Sequence, residues 1–309
     1  MALLFSYAGA DPSLWRKHFL KHLPGLDFRV FPDIGDPNDI EYAAVWMHPQ
    51  GDLQKYPNLK AILSFGAGVE HIIGDNQLPM DVPIVRLVDD EVAKDMAMHT
   101  LHWIIHFHRH YHLYLADQAR STWARYPHRA PQDRNVGFLG MGAMGAIAAR
   151  VALDMGFRVS GWGRDSVQIE NVEFYEGDGA LAAFLGQTDI LVNVLPLTDT
   201  TRDLLNAQRL AQLRKGACVI NVSRGPILVD EDLIAALDSG HLGAAALDVF
   251  RTEPLPDDSV LWRHPKVFVT PHVAGVNYPD SAARLMVENI LRIQAGGQPF
   301  PQYDRVRGY

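Results

Sequence analysis

Val136-Gly137-Phe138-Leu139-Gly140-Met141-Gly142-Ala143-Met144-Gly145 is the stretch on which the fold turns. Residues 136–139 read as a short buried strand and residues 146–155 as a helix, so the three glycines stand in the turn between them. At Gly-x-Gly-x-x-Gly spacing each glycine has its own reason. Gly140 permits the tight turn, Gly142 lets the backbone approach a pyrophosphate, and Gly145 lets helix and strand pack closely. Gly142, Ala143, Met144 and Gly145 lead into the helix at 146, whose first N–H groups are free to meet phosphate oxygens. The spacing alone is common, but a strand before it and a helix behind it make a dinucleotide-binding turn.

The next strand signal, 157–162, runs into Gly163-Arg164. An Asp or Glu at that place would bind a free adenosine 2′-hydroxyl and repel a 2′-phosphate. Glycine leaves room and a guanidinium can pair with phosphate, so the sequence favours NADP(H), with NAD(H) as the alternative. Asp165 supplies the competing reading, a solvated Arg–Asp pair.

Further apolar runs follow at 189–194, 217–222, 243–249 and 267–270, with helical patterns between them. Such an alternation gives a parallel sheet of the dinucleotide-binding kind. Upstream, runs at 3–7, 28–31, 43–47, 61–65 and 84–88, with helix-like segments such as Pro12–His22, read as a second β/α sheet. Between the two lies a stretch from 91 to about 120 without Gly or Pro, read as one long bridging helix. A last helical pattern over 281–294 returns to the first domain.

Three polar residues stand at or just beyond the ends of three of these runs: Arg224, Glu253 and His272. The carboxyl ends of parallel strands are where open α/β sheets place ligands. A guanidinium there can bind a carboxylate in bidentate fashion, an imidazole of ordinary pKa about 6.5 can give up a proton near neutral pH, and a carboxylate can orient the ring. Each has a bland alternative, a surface charge, a turn residue or a structural histidine. Together behind a dinucleotide turn they point to proton and anion chemistry.

The 309 residues suffice for two domains. With 48% apolar and 21% charged residues the chain is globular, and its net charge of −8 argues against a nucleic-acid partner. No run approaches the roughly 20 apolar residues of a membrane span, and the first ten residues lack the basic start of a leader, so a cytoplasmic protein is expected. The single cysteine, Cys218, lies in an apolar run and reads as a core thiol.

Asn221-Val222-Ser223-Arg224-Gly225 with Val229-Asp230, Leu247-Asp248-Val249-Phe250 leading to Glu253-Pro254-Leu255-Pro256, and Thr270-Pro271-His272-Val273-Ala274-Gly275 resemble, in order and spacing, the three signatures of the D-2-hydroxyacid dehydrogenases. Leu195-Pro196-Leu197-Thr198 with Thr200-Thr201 resembles that family's cofactor-side loop. Phe65-Gly66-Ala67-Gly68-Val69-Glu70, the Gly163-Arg164 pair and the closing Asp304-Arg305-Val306-Arg307-Gly308-Tyr309 are similar to the bacterial glyoxylate/hydroxypyruvate reductases of the A type. The resemblance implies an α/β protein of two domains with the active site in the cleft between them. A Rossmann-type NADP-binding domain would take 96–278, including the bridging helix, and a discontinuous flavodoxin-like substrate-binding domain 1–95 and 279–309. It implies His272 as acid/base, Glu253 as its partner and Arg224 as substrate anchor. Gly66, Ala67, Gly68 and Val69 would meet the substrate carboxylate, and Leu195, Pro196, Thr201, Val222, Ser223 and Asp248 would stand on the cofactor side. A small 2-oxoacid substrate and a homodimer follow from the same likeness. The rivals are an NAD-linked 2-hydroxyacid or phosphoglycerate dehydrogenase, and a non-catalytic NAD(P)H-sensing module.

Trp46 and Trp123 are ambiguous; Trp46 either lines the substrate cleft or fills the core. His102, His106 and His110, with His108 and His112, have spacings that metal ligands use, but no carboxylate interleaves with them. A packed or dimer-facing helix is the favoured reading, and no metal is expected.

Overall fold

The computed structural model describes residues 1–165 and 167–309. The chain divides into two compact units, Met1–Val92 with Asn277–Tyr309, and Ala93–Val276. Both are α/β, and among the described residues no helix is long and apolar enough to cross a membrane.

In the first unit, strands β1 (Ala2–Tyr7), β2 (Asp27–Val30), β3 (Ile40–Trp46), β4 (Ala61–Ser64) and β5 (Ile84–Val85) form a parallel sheet in the order β2-β1-β3-β4-β5. This is the flavodoxin-like order. Alternate residues of β1 enter opposite cores: Leu3 and Phe5 join Trp15, Phe19 and Ile290, while Ala2 and Leu4 join Leu53, Ile62 and Ile72. Helix Pro12–His22 starts where Asp11 accepts from the Ser13 N–H (2.9 Å), with Pro12 at its first position. Helix Pro279–Gln294 covers the sheet with a single stripe, Ala282, Ala283, Met286, Val287 and Ile290, at helical spacing.

The second unit contains β6 (Asn135–Leu139), β7 (Arg158–Gly163), β8 (Val172–Glu176), β9 (Ile190–Asn193), β10 (Ala217–Asn221), β11 (Leu242–Leu247) and β12 (Val267–Val269). Their order, β12-β11-β10-β9-β6-β7-β8, is the Rossmann order 3-2-1-4-5-6 extended by one strand. All pairs are parallel, so every carboxyl end lies along one edge. The near-continuous apolar runs are explained by burial on both faces: Leu191 and Val219 enter one core, and Ile190, Val192, Cys218 and Ile220 the other. Burial pushes the Cys218 thiol up to about 12, consistent with an inert core residue.

Two elements differ from the sequence reading. Strand β8 was not expected, because it is an edge strand whose exposed Glu173 and Glu176 dilute its apolar signal. The bridging helix is broken: Asp90–His108 and Tyr111–Ala119 meet at His110, which has a left-handed φ of 61°. Histidine is among the few side chains that visit this region, and the His110 Nε2 donates to Pro127 O (3.1 Å) with its ring stacked on His128.

Candidate active site

The turn after β6 shows a separate cause for each glycine. Gly140 has φ +93°, and its N–H donates to Trp162 O (2.9 Å), stitching this turn to the end of β7. A Cβ on Gly145 would lie 2.1 Å from Gly140 O, so the helix Ala143–Asp154 can approach the strand only without one. A Cβ on Gly142, the residue capping that helix, would meet nothing within 4 Å. No protein packing demands glycine at position 142. Open ground at a helix N-terminus fits a group from outside the chain, and a pyrophosphate suits both the space and the dipole. At the end of β7, Gly163 stands where an acid would sit; a Cβ there would press on Phe174 at 3.2 Å, and Arg164 and Asp165 follow it at the surface.

Beside this turn, a buried amide ladder joins the ends of β9 and β10. Asn193 Nδ2 donates to Asn221 Oδ1 (2.9 Å), and Asn221 Nδ2 donates to Arg224 O (3.2 Å). The Leu195 N–H reaches Asn193 Oδ1 (3.2 Å), and the Ser223 hydroxyl donates to Leu195 O. Val222 and Ser223 are buried. Thr201 is committed to its own loop, donating to Pro196 O (2.7 Å) and accepting from the Thr198 N–H (2.8 Å). Asn193 escaped the sequence reading, although a polar residue ending an apolar run is the same signal that drew attention to Arg224.

Arg224 leaves β10 and donates from Nη1 to Ser223 O (2.7 Å). The following Gly225 lies against the backbone of Phe250, bringing the loop after β10 onto the loop after β11. That second loop begins with Asp248, 1% exposed, whose carboxylate accepts from Thr270 Oγ1 (2.6 Å), the Val273 N–H (2.9 Å) and the Ala274 N–H (2.9 Å). Asp248 therefore pins the segment that carries His272. His272 sits at φ 54°, its N–H donating to Asp248 O (2.8 Å). Its Nδ1 lies 2.7 Å from Glu253 Oε2, while Glu253 Oε1 accepts from the Phe250 N–H (2.9 Å). Burial alone would raise the Glu253 carboxyl. The His272 hydrogen bond, the Phe250 N–H and the charges of His272 and Arg224 outweigh it and hold the group below the usual carboxylate range. An ionised carboxylate only accepts, so Nδ1 carries the hydrogen in this contact.

In the first unit, Trp46 ends β3 with its ring 4.2 Å from that of His71, and a Cβ on Gly66 would lie 2.7 Å from the Trp46 Cζ3 atom. The Gly66 N–H donates to Ser64 Oγ (3.0 Å), and Arg86 Nε donates to Ala67 O (2.6 Å). Among the described residues the N–H groups of Ala67, Gly68 and Val69 meet no protein acceptor. Trp123 is 91% exposed. The histidines of the broken helix pack on aromatic rings, His106 against Phe268 (5.0 Å) and His108 against Phe157 (4.9 Å), and Trp103 Nε1 donates to His99 Nε2 (3.0 Å).

Known proteins resemble this chain over its whole length. Residues 101–274 match the family model described as D-isomer specific 2-hydroxyacid dehydrogenase, NAD binding domain. Glyoxylate/hydroxypyruvate reductase A of Klebsiella pneumoniae (strain 342) is 36% identical over 314 aligned residues, covering 100% of both chains. The crystal structure of a D-isomer specific 2-hydroxyacid dehydrogenase from Xanthobacter autotrophicus Py2 in complex with NADPH and MES is similar at TM-score 0.96 and 42% identity, over 100% of this chain and 99% of that one. An NADPH-dependent glyoxylate/hydroxypyruvate reductase from Sinorhizobium meliloti, solved with NADP and sulfate, matches at TM-score 0.92 and 35% identity over 100% and 99%. On its glycine turn, its three signatures and these full-length likenesses, the chain belongs to the D-isomer specific 2-hydroxyacid dehydrogenase family.

Proposed function

We propose that this protein uses NADPH to reduce small 2-oxoacids, glyoxylate and hydroxypyruvate among them, to D-2-hydroxyacids. The observation that carries the reading is the 2.7 Å contact of His272 with Glu253, at the carboxyl edge of the sheet that also carries the glycine turn. The relatives solved with NADPH and NADP, and the glyoxylate/hydroxypyruvate reductase names of the Klebsiella pneumoniae and Sinorhizobium meliloti proteins, support the choice of cofactor and substrate class.

The Gly140–Gly145 turn would hold the pyrophosphate, with Gly142 leaving room and the N–H groups of Ala143, Met144 and Gly145 facing it. Gly163 and Arg164 would accept the adenosine 2′-phosphate, and Leu195, Pro196, Thr201, Val222, Ser223 and Asp248 would shape the nicotinamide side. The bound cofactor supplies a hydride to the carbonyl carbon of the 2-oxoacid. Negative charge then grows on the carbonyl oxygen, and His272 donates a proton to it from Nε2, the ring atom left over from the Glu253 contact. Glu253 keeps the tautomer and stabilises the imidazolium before transfer. Arg224 pairs with the carboxylate and polarises the carbonyl, a task for a planar fork. Ala67, Gly68 and Val69 offer N–H groups to a carboxylate, and Trp46 borders them through Gly66. A homodimer in the cytoplasm completes the proposal.

A panel of glyoxylate, hydroxypyruvate and phenylpyruvate, each with NADPH and with NADH, tests the reading. NADPH oxidation with at least one of the two smaller acids, faster than with NADH, is expected. No turnover with any acid would overturn it.

A further inference from the structure

Arg251 lies between the two halves of the second signature and is given no role by it, yet it joins three segments of the second unit. Its Nε donates to Leu228 O (3.0 Å), and its Nη2 forms an ion pair with Asp203. Asp203 is itself laced to the loop that follows Arg224: its N–H donates to Pro226 O (2.9 Å), and two residues on the Leu205 N–H donates to Ile227 O (2.9 Å). The Val229 N–H returns to Leu205 O (3.1 Å). Asp203 adopts a left-handed φ of 54°, a conformation that persists where surrounding contacts hold it.

These bonds lie directly behind the site. Arg251 follows Phe250, whose N–H holds Glu253 Oε1, and the Arg251 backbone nitrogen is one of the atoms packed against Gly225. One guanidinium therefore spans the loop bearing Arg224 and the loop bearing Glu253. We propose that Arg251 is a positioning residue that, through Leu228 and Asp203, fixes the spacing of the substrate anchor Arg224 from the Glu253–His272 pair. The inference rests on the proposed reductase reading for its catalytic consequence. Its basis is geometry: a partly exposed ion pair adds little to stability, whereas a small misplacement of an anchor from the reacting atoms is costly in rate. Arg251 also lends positive charge to the start of helix Asp230–Asp238, where burial raises the half-buried Asp230 carboxyl and Arg251 pulls it back.

The test compares the full-length parent with Arg251→Ala, Arg251→Lys and Asp203→Asn. Three quantities are read: kcat/KM for glyoxylate, KM for NADPH, and amide hydrogen exchange at 225–228 and 250–253. In Arg251→Ala the glyoxylate kcat/KM falls about tenfold while the NADPH KM stays within about twofold, because the Gly140–Gly145 turn and the Gly163-Arg164 pair stand on other loops. Exchange quickens in both segments, Arg251→Lys recovers part of the rate, and Asp203→Asn adds little to the loss when combined with Arg251→Ala. Unchanged kinetics with unchanged exchange would overturn the proposal, as would equal losses toward glyoxylate and NADPH. A parent that reduces no 2-oxoacid defeats the functional reading alone, and exchange at the two segments then decides whether Arg251 clamps them. Should the alanine variant not fold, the lysine and asparagine variants carry the same comparison.

Discussion

Gly225 and Phe250 meet backbone to backbone: a Cβ on Gly225 would stand 1.9 Å from the Phe250 carbonyl carbon and 2.4 Å from the Arg251 nitrogen. Neither atom is a flexible side-chain end that could swing away. Gly225→Ala must therefore part the two loops that carry Arg224 and Glu253. A loss of about 2–3 kcal/mol in unfolding free energy is expected by urea titration, together with reduced turnover. Parent-like stability would show that the loops do not depend on this contact.

Gly142→Ala makes the opposite case in the same sheet. Its Cβ meets nothing, so the unfolding free energy stays within about 1 kcal/mol of the parent. If a pyrophosphate uses that space, the NADPH dissociation constant rises about tenfold or more. Fluorescence titration of NADPH separates the two effects, and unaltered binding would remove Gly142 from the cofactor site.

Gly163→Asp tests cofactor choice. The added carboxylate costs a shift of a few tenths of an ångström in Phe174, which a ring at 3.2 Å can give. Repulsion of the 2′-phosphate and a new acceptor for a 2′-hydroxyl should lower the NADPH-to-NADH ratio of kcat/KM by about tenfold or more. A ratio that does not move would place the discrimination elsewhere.

The Glu253–His272 pair predicts the pH profile. A carboxyl held below its ordinary value stays ionised down to acid pH, and any stability it adds is present above its unfolded pKa and lost as pH falls through the folded one. Glu253 is therefore ionised throughout the neutral range, and its own protonation should not limit reduction there. Glu253→Gln removes the neighbouring negative charge, so the rate drops about tenfold to a hundredfold across the neutral range. Coincident profiles for parent and variant would separate Glu253 from the proton transfer.

The broken histidine helix predicts acid lability. His108 is pushed down to about 4 by burial and then by Arg134 and Arg109, and His112 to about 4 by burial and then by His106 and His110. Above about pH 6.5 both folded and unfolded chains leave these rings neutral. Between about 6.5 and 4 the unfolded chain binds protons that the folded one refuses, so stability falls with pH, by about 1.4 kcal/mol per unit for each such ring. Denaturant titrations across that range should show the slope, and His108→Leu should flatten it by one proton's share. An unchanged slope would exclude His108 as a contributor.

What could be read in the chain beforehand followed from local chemistry. Glycines at fixed spacing between a strand and a helix, apolar runs buried on both faces, and charged residues at strand ends are short-range signals, and they located the Rossmann sheet and the signatures around Arg224, Glu253 and His272. Strand β8 was missed because an edge strand is half polar, and the break at His110 because no Gly or Pro marks it. Asn193 bracing Asn221, Gly225 lying on Phe250 and Arg251 reaching Asp203 across 48 positions are long-range contacts. They depend on which strands become neighbours, which no local pattern states. Two of the assigned residues also have structural duties within their own loops: Thr201 binds Pro196 and Thr198, and the Gly66 N–H is held by Ser64.

The most direct test of the account is the rate of NADPH oxidation on adding glyoxylate or hydroxypyruvate, measured for the parent and for His272→Ala, with NADPH affinity measured on both. The account predicts brisk turnover by the parent, a loss of about a hundredfold or more in the folded variant, and NADPH binding unchanged in both. A correctly folded His272→Ala protein that turns over at the parent's rate would contradict it.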